Sequence, residues 1–383
     1  MVRVSVFCHS VLSDWNNGNA HFMRGVAAEL LSRGHEVVVY EPRDAWSLRN
    51  QLKACGRGPL RRFWQPHPGL AVRRYSPRGL DLDEALRGVD LAIVHEWNGH
   101  ALVRALGRHR QRRGGYRLLF HDTHHRSLTA PKAMAGYNLR HYDGVLAFGN
   151  AVRDRYLERG WARRAWTWHE AADIRLFYPR AVDHTWGDLV WIGNWGDGER
   201  TRELNEFLLR PVAALGLRAR AYGVRYPGYG VAALARAGIG YGGWLANHAV
   251  PEVFAHYRVT VHVPRAPYAR ELTGIPTIRV FEALACGVPL VCSPWDDSEG
   301  LFRPGEDYLL ARDGDEMAAC LHAVLHDPDL AAGLARRGRA TVLARHTCAH
   351  RVDELLGICA ALGIDTAPAT LAPAPIVVPV GTV

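Results

Sequence analysis

Lysine is nearly absent from this chain of 383 residues: Lys53 and Lys132 stand alone, so 45 of its 47 cationic side chains are arginine. Long apolar runs are absent too. No stretch approaches the roughly 20 residues that span a bilayer. The opening Met1–Phe7 is too short and too alternating for a secretion signal, and reads as a first buried strand. The expectation is a cytoplasmic protein. Paired cysteines are also missing. Cys8, Cys55, Cys286, Cys292, Cys320, Cys348 and Cys359 are odd in number and contain no C-x-x-C pair, which argues for buried thiols over a disulfide framework or zinc ribbon.

What is present fits a globular protein of two domains, with 48% hydrophobic and 22% charged residues. The net charge of +9 is unevenly placed. Residues 1–180 carry 29 Lys and Arg against 16 Asp and Glu; the remainder carries 18 against 22. A basic half points to an anionic partner (nucleic acid, a membrane surface or a phosphorylated acceptor) or simply to a solvated face in an arginine-rich chain.

Strand-like and helix-like segments alternate throughout, the pattern of a parallel α/β architecture. Strands are predicted at Arg3–Phe7, Val37–Tyr40, Ala71–Tyr75, Leu91–Val94, Arg117–Phe120 and Val145–Ala147. A second set follows at Leu189–Ile192, Arg218–Gly223, Val259–Val263, Pro289–Cys292 and Tyr308–Ala311. The stretch 45–69, rich in Arg, Trp and Pro, reads as an insertion outside the core. Residues 175–187 read as a linker, and the Ala/Pro/Val/Thr-rich end as a disordered tail. Two doubly wound domains in tandem place the carboxyl ends of two sheets across a cleft, where ligands bind such folds.

The most informative stretch runs from Thr273 to Val291: a Gly/Pro loop, a helix, a Gly stop and a buried strand. Pro276 sits where proline is tolerated at a helix start. The free N–H groups of that first turn suit an anion, the helix dipole adding about 0.3–2 kcal/mol. Arg279 and Glu282, three apart, project from one face. A cation there can meet a diphosphate, and a carboxylate one turn deeper can accept both hydroxyls of a ribose, each charge-assisted bond contributing about 1.5–3 kcal/mol. Taken alone, the pair reads better as a surface ion pair on an ordinary amphipathic helix. The His-rich segment Phe120-His121-Asp122-Thr123-His124-His125 invites a metal, but H-D-x-H-H matches neither a zincin helix nor a finger.

The run Pro276-Thr277-Ile278-Arg279-Val280-Phe281-Glu282-Ala283-Leu284-Ala285-Cys286-Gly287 resembles the donor-site signature of GT-B glycosyltransferases, closest to the CgeB-like, group 1 branch. Gly305-Glu306-Asp307-Tyr308 and His346–Arg351 continue the similarity. Gly18-Asn19-Ala20-His21, Arg33-Gly34-His35-Glu36-Val37 and the junction Ala172–Pro179 resemble the same family more weakly. The resemblance implies an α/β GT-B fold, two facing Rossmann-like doubly wound domains with a central cleft. Residues 1–180 would form the acceptor side, 181–363 the nucleotide-sugar side with returning C-terminal helices, and 364–383 the tail. It implies transfer of a hexosyl group from a nucleoside-diphosphate sugar to an unidentified acceptor, with retention. Neither a metal nor any other cofactor is expected, and no nucleic acid. The acceptor could be anionic or membrane-associated, the enzyme then lying peripheral to the inner membrane surface.

The resemblance assigns His121 and Asp122 to catalysis. Glu282, Arg279, Thr277, Arg200, Asn194 and Trp244 are assigned to the donor nucleotide and phosphates, and Gly18 and His21 to the loop facing donor and acceptor. Asp14, His21, His121 and Asp122 are the candidates should a general base be needed. Two departures stand out. The family's E-x7-E pair retains only its second acid, Glu282, because the first position is Gly274, with Glu271 three residues earlier. The family's phosphate-binding lysine has no counterpart, since the second half has no lysine, and Arg200 is its expected replacement. A nucleotide-sugar epimerase of the same fold and a non-catalytic binding module both remain open.

Overall fold

The computed structural model describes residues 1–76, 79–196, 198 and 200–366. Of the expected tail, residues 367–383 lie outside the described residues. The first sheet comprises β1 (Arg3–Phe7), β2 (Glu36–Pro42), β3 (Ala71–Tyr75), β4 (Leu91–His95), β5 (Arg117–Asp122), β6 (Gly144–Ala147) and β7 (Ala165–Thr167). The second comprises β8 (Gly187–Ile192), β9 (Ala219–Tyr222), β10 (Ile239–Tyr241), β11 (Tyr257–His262), β12 (Leu290–Cys292) and β13 (Leu309–Leu310). All pairings are parallel. The orders are β3-β2-β1-β4-β5-β6-β7 and β10-β9-β8-β11-β12-β13, two doubly wound sheets that each reverse direction beside their first strand. Such reversal points open crevices at the strands' carboxyl ends.

Central strands are buried on both faces, as parallel sheets covered by helices require: β4 reads Leu-Ala-Ile-Val-His and is buried throughout. The segment 45–69 departs from its expectation. It folds into helices Trp46–Cys55 and Gly58–Arg62. Ala45, Leu48 and Phe63 share a core with Val4 and Val39 of β1 and β2, with Leu52 packed against it. Positions 45, 48 and 52 are three and four apart, a helical stripe that the surrounding Arg and Pro residues obscure. The helical segment after β8 is broken. A π-turn at Asn205–Leu209 separates Thr201–Leu204 from Arg210–Leu215, because Pro211 has no N–H to donate to the carbonyl four residues back.

The last helix, Cys348–Ala361, leaves the second sheet and returns to the first. Val352, Leu355, Ile358 and Cys359 enter the same core as Phe22, Val26 and Leu30 of the helix Asn19–Ser32. Gly25 permits the close approach, since a Cβ there would lie 2.5 Å from Cys348 Sγ. The Trp168 indole donates to the Arg351 carbonyl at 2.8 Å, and Ala172 bridges Thr347. Among the described residues no helix is long and apolar enough to cross a membrane.

Candidate active site

The carboxyl ends of the two sheets face one another across a cavity of about 570 Å³. Loops after β1, β2, β4, β5 and β6 form one wall. The other comes from the ends of β8, β9 and β11 and from residues 275–279.

The second wall carries the charge. Residues Ile275–Arg279 line it and lead into the helix Ile278–Ala285, so the helix opens at the cavity. Thr277 is the residue before that helix, and its hydroxyl makes no capping bond. Arg279 lies on the wall and donates to Glu282 Oε2 at 2.6 Å. Glu282 itself sits one layer behind, 1% exposed. Its Oε1 accepts from Asn247 Nδ2 at 3.0 Å and lies 3.1 Å from His21 Nδ1 of the facing domain. Burial opposes the charge of this carboxyl. Arg279, His21 and the bond from Asn247 outweigh it and hold the group below its ordinary value.

Arg200, expected on the phosphate side, lies on the wall but is not a surface residue. Its Nη1 donates to the Val263 carbonyl at 2.8 Å, its Nη2 to the Asn194 carbonyl, and its guanidinium lies 5.5 Å from the Trp191 ring centre. Backbone carbonyls therefore aim this cation. Asn194 Nδ2 donates to Asn16 Oδ1 across the cavity at 2.5 Å, and Asn194 Oδ1 accepts the Val224 N–H at 2.9 Å. Asn16 (φ 50°) and Arg225 (φ 59°) both hold left-handed backbone and both line the cavity. Strain of this kind concentrates where a site needs a particular loop shape.

One acid on the wall has no counterpart among the sequence candidates. Glu170, 7% exposed, accepts the backbone N–H of Ile278 at the mouth of the helix. Burial, reinforced by the nearby Glu282 carboxylate, pushes it up to about 8, so at neutral pH it is mostly a carboxylic acid. Its only signal in the sequence is its place just before the junction Ala171-Ala172-Asp173.

The first wall differs in kind. It presents His9, Trp15, Asn16, Asn17, Gly18, Asn19, His21, Trp46, Asn50, Trp97, Thr123 and His124, with Phe148 at its edge. Gly18 and His21 thus lie where the sequence places them. His121 and Asp122 do not. β5 runs through Asp122, so the loop that reaches the cavity begins at Thr123, two residues later than the reading from sequence. His121 is fully buried against Trp168 and Phe22, its ring centre 5.0 and 6.0 Å from theirs, and neither ring nitrogen has a partner. Burial drives its pKa to about 3. Asp122, also fully buried, accepts from the Tyr156 hydroxyl at 2.8 Å and from the His124 N–H at 3.0 Å. Burial raises it to about 6 even against those bonds. It shapes the loop that presents His124.

Asp14 and Trp244 are likewise off the wall and joined to each other: the Trp244 indole donates to Asp14 at 3.1 Å, the Asn247 N–H at 3.2 Å and Arg24 at 2.9 Å. This carboxylate ties the two halves together and has no free oxygen for a proton. Glu271 is exposed and not on the wall. Beside Gly274 (φ 79°) the space is filled by Glu299, whose Cγ would lie 2.5 Å from an added Cβ. Glu299 accepts the Asn150 N–H at 2.7 Å and faces His169 at 3.0 Å, a second tie between halves. An acid at 274 would need another backbone and an emptied neighbourhood. Among the described residues no group of three or more His, Cys, Asp or Glu is arranged to hold a metal ion.

Two facing doubly wound sheets with the site between them define the GT-B architecture of glycosyltransferases. Solved structures agree over nearly the whole chain. Sucrose-phosphate synthase from Thermosynechococcus elongatus superposes with a TM-score of 0.65 at 15% identity, covering 94% of this chain and 99% of its own. Anabaena HepE, solved with UDP-glucose, gives 0.67 at 14% identity, covering 94% and 100%. A glycosyltransferase from Rickettsia africae gives 0.65 at 11% identity, covering 94% and 98%. Residues 200–357, most of the second sheet and the helices behind it, match the family described as glycosyl transferase-like. No curated protein matches the sequence.

Proposed function

We propose that this protein is a glycosyltransferase that takes a hexosyl group from a nucleoside-diphosphate sugar, residues 181–363 holding the donor and residues 1–180 the acceptor. The observation that carries this is the opening of the helix Ile278–Ala285 into the interdomain cavity, with Arg279 and Arg200 on the same wall. Glycosyl transfer leaves negative charge on the departing diphosphate, and preorganised amides and guanidinium groups stabilise charge as it develops. The UDP-glucose in HepE supports a nucleotide of this kind, and the run Pro276–Gly287 supports a place near the CgeB-like, group 1 branch.

In this reading the Glu282 carboxylate grips the ribose. His21 and Asn247 occupy it in the closed arrangement, so donor entry exchanges those bonds for ribose hydroxyls. Glu170, held mostly neutral, occupies the helix mouth without repelling a diphosphate. We infer retention, the departing diphosphate accepting the acceptor's proton: of the four candidate bases Asp14, His121 and Asp122 are turned into packing, hydrogen bonds or ion pairs, and His21, the one on the wall, is engaged by Glu282 and Asn247. An anomeric proton coupling showing inversion would overturn that part. For the donor site, Glu282→Ala should weaken binding more than tenfold in calorimetric titrations with UDP, GDP and TDP while the fold persists. Unchanged affinity for all three would remove Glu282 from the site. Donor consumption without any acceptor or water-derived sugar product would point instead to an epimerase.

A further inference from the structure

Among the described residues the first half of the chain brings no Lys, Arg or Asp to the cavity and a single acid, Glu170 at the helix mouth, although that half holds the excess of cations. Burial lowers His9 to about 4 and His124 well below its ordinary value, so both rings are neutral at physiological pH. Phosphorylated or polyanionic partners are held by cations. Arg126, behind this wall, is already paired with Glu96 Oε2 at 3.1 Å.

Indole surface and amides stand there instead. His9 stacks on Trp46 with ring centres 4.8 Å apart, and Trp15 meets the same indole edge-on at 6.1 Å. Trp97 remains 39% exposed, whereas Trp168 and Trp195 are wholly buried. The Arg126 guanidinium backs its ring at 4.8 Å and His124 meets it edge-on at 5.1 Å, so the indole is held in place while exposed. A large apolar group kept at a cavity surface marks a binding site. Asn19 and Asn50 line the same cavity. Asn19 is 8% exposed, and its Oδ1 has no hydrogen-bond partner in the protein. A buried amide oxygen left without a donor is costly, by about 1–3 kcal/mol, and a ligand hydroxyl would supply one.

A flat apolar surface beside amides that both donate and accept matches one chemistry: a pyranose, with a C–H face to lie on an indole and a rim of hydroxyls for the amides. Resting on the transferase assignment above, we infer that the acceptor is an uncharged saccharide, lying on Trp46 and Trp97 with hydroxyls toward Asn19 and Asn50. An acceptor hydroxyl oxygen then bonds to the donor's anomeric carbon. The bond from that carbon to the diphosphate oxygen breaks, and the diphosphate leaves with the electron pair and the acceptor's proton.

Saturation-transfer NMR on the full chain with UDP tests this, using three probe sets: maltose, cellobiose, lactose and diacetylchitobiose; glucose 6-phosphate; and 4-nitrophenol. The expected result is saturation of pyranose C–H protons in at least one neutral disaccharide. It should fall at least fivefold in Trp97→Ala and in Trp46→Leu, with the UDP dissociation constant within twofold of wild type. Trp97 is exposed enough for its variant to fold, and Asn50→Ala provides a second, milder loss of about threefold. Saturation confined to glucose 6-phosphate or 4-nitrophenol would overturn the inference, as would a disaccharide signal that survives both tryptophan substitutions. UDP binding with no saccharide signal would overturn it and leave the donor assignment standing. A saccharide signal without UDP binding would support it and count against the donor assignment.

Discussion

The two walls of the cleft come from sheets of the same topology, yet they are built from different residues. The second wall has Arg200, Arg225, Arg265 and Arg279; the first has three tryptophans and four asparagines, with no Lys or Arg, and the first half adds one acid, Glu170, at the helix mouth. The basic half of the chain supplies the wall without Lys or Arg, and the acidic half supplies the arginines. Net charge of a domain therefore says little about its site, which depends on the few residues that loops deliver to the strand ends. It also removes the main reason for expecting an anionic acceptor.

The contrast can be broken most forcefully at Arg279. Arg279→Ala removes a wall cation and leaves the buried Glu282 without its shortest ion pair, so UDP affinity should fall about tenfold to a hundredfold, in line with a charge-assisted bond of about 1.5–3 kcal/mol. Trp97→Ala should leave that affinity unchanged in the same calorimetric titration; equal losses in both variants would erase the distinction between the walls.

Glu170 sharpens the comparison through pH. With its pKa raised to about 8, it is neutral at the helix mouth below that value and repels a diphosphate above it. UDP affinity should therefore decline between pH 7.5 and 9 by about threefold to tenfold, and Glu170→Gln should flatten the profile. The same group bears on folding. Between its ordinary value of 4.5 and about 8 the native state binds more protons than the unfolded chain, so this site's contribution to stability is fullest below 4.5 and is lost as pH rises toward 8. A pH series of thermal melts in which wild type and Glu170→Gln run parallel would contradict it.

The smallest effect on activity is expected at His121. Its pKa lies near 3 in the folded state, below the ordinary 6.5, so the unfolded chain binds the extra proton and stability is lost as pH falls below about 6.5. His121→Leu should melt at a higher temperature at pH 5 than wild type, with turnover changed less than threefold. A collapse of turnover in a folded variant would return this residue to the catalytic machinery.

The sheets are legible in the sequence because strands buried on both faces read as short apolar runs between glycine stops. β7 and β10 escape that pattern: each has three residues, and neither is buried throughout. The helix start at the second wall is legible for a related reason. Thr277, Arg279 and Glu282 lie within six consecutive residues of one helix start, where spacing alone fixes their relation. Of the opposite wall only Gly18 and His21 are legible, since Trp15, Trp46, Trp97 and His124 are brought together from four separate segments by the order of the strands. Two residues of strand length misplace His121. The loop begins after Asp122, and a strand's alternation sends one histidine into the core while the next, His124, reaches the cavity.

The backbone crosses between the lobes twice, outward near residues 168–186 and back at His346–Cys348. The two passages are stitched by Ala172 N–H to the His346 carbonyl at 3.0 Å and Cys348 N–H to the Ala172 carbonyl at 3.0 Å. Two adjacent crossings define an axle. The terminal helix belongs with the first lobe, because its apolar side is buried there. Any separation of the lobes must break four polar contacts, those of Asp14 with Trp244 and Asn247 and those of Glu299 with Asn150 and His169, which together act as the catch of a clasp.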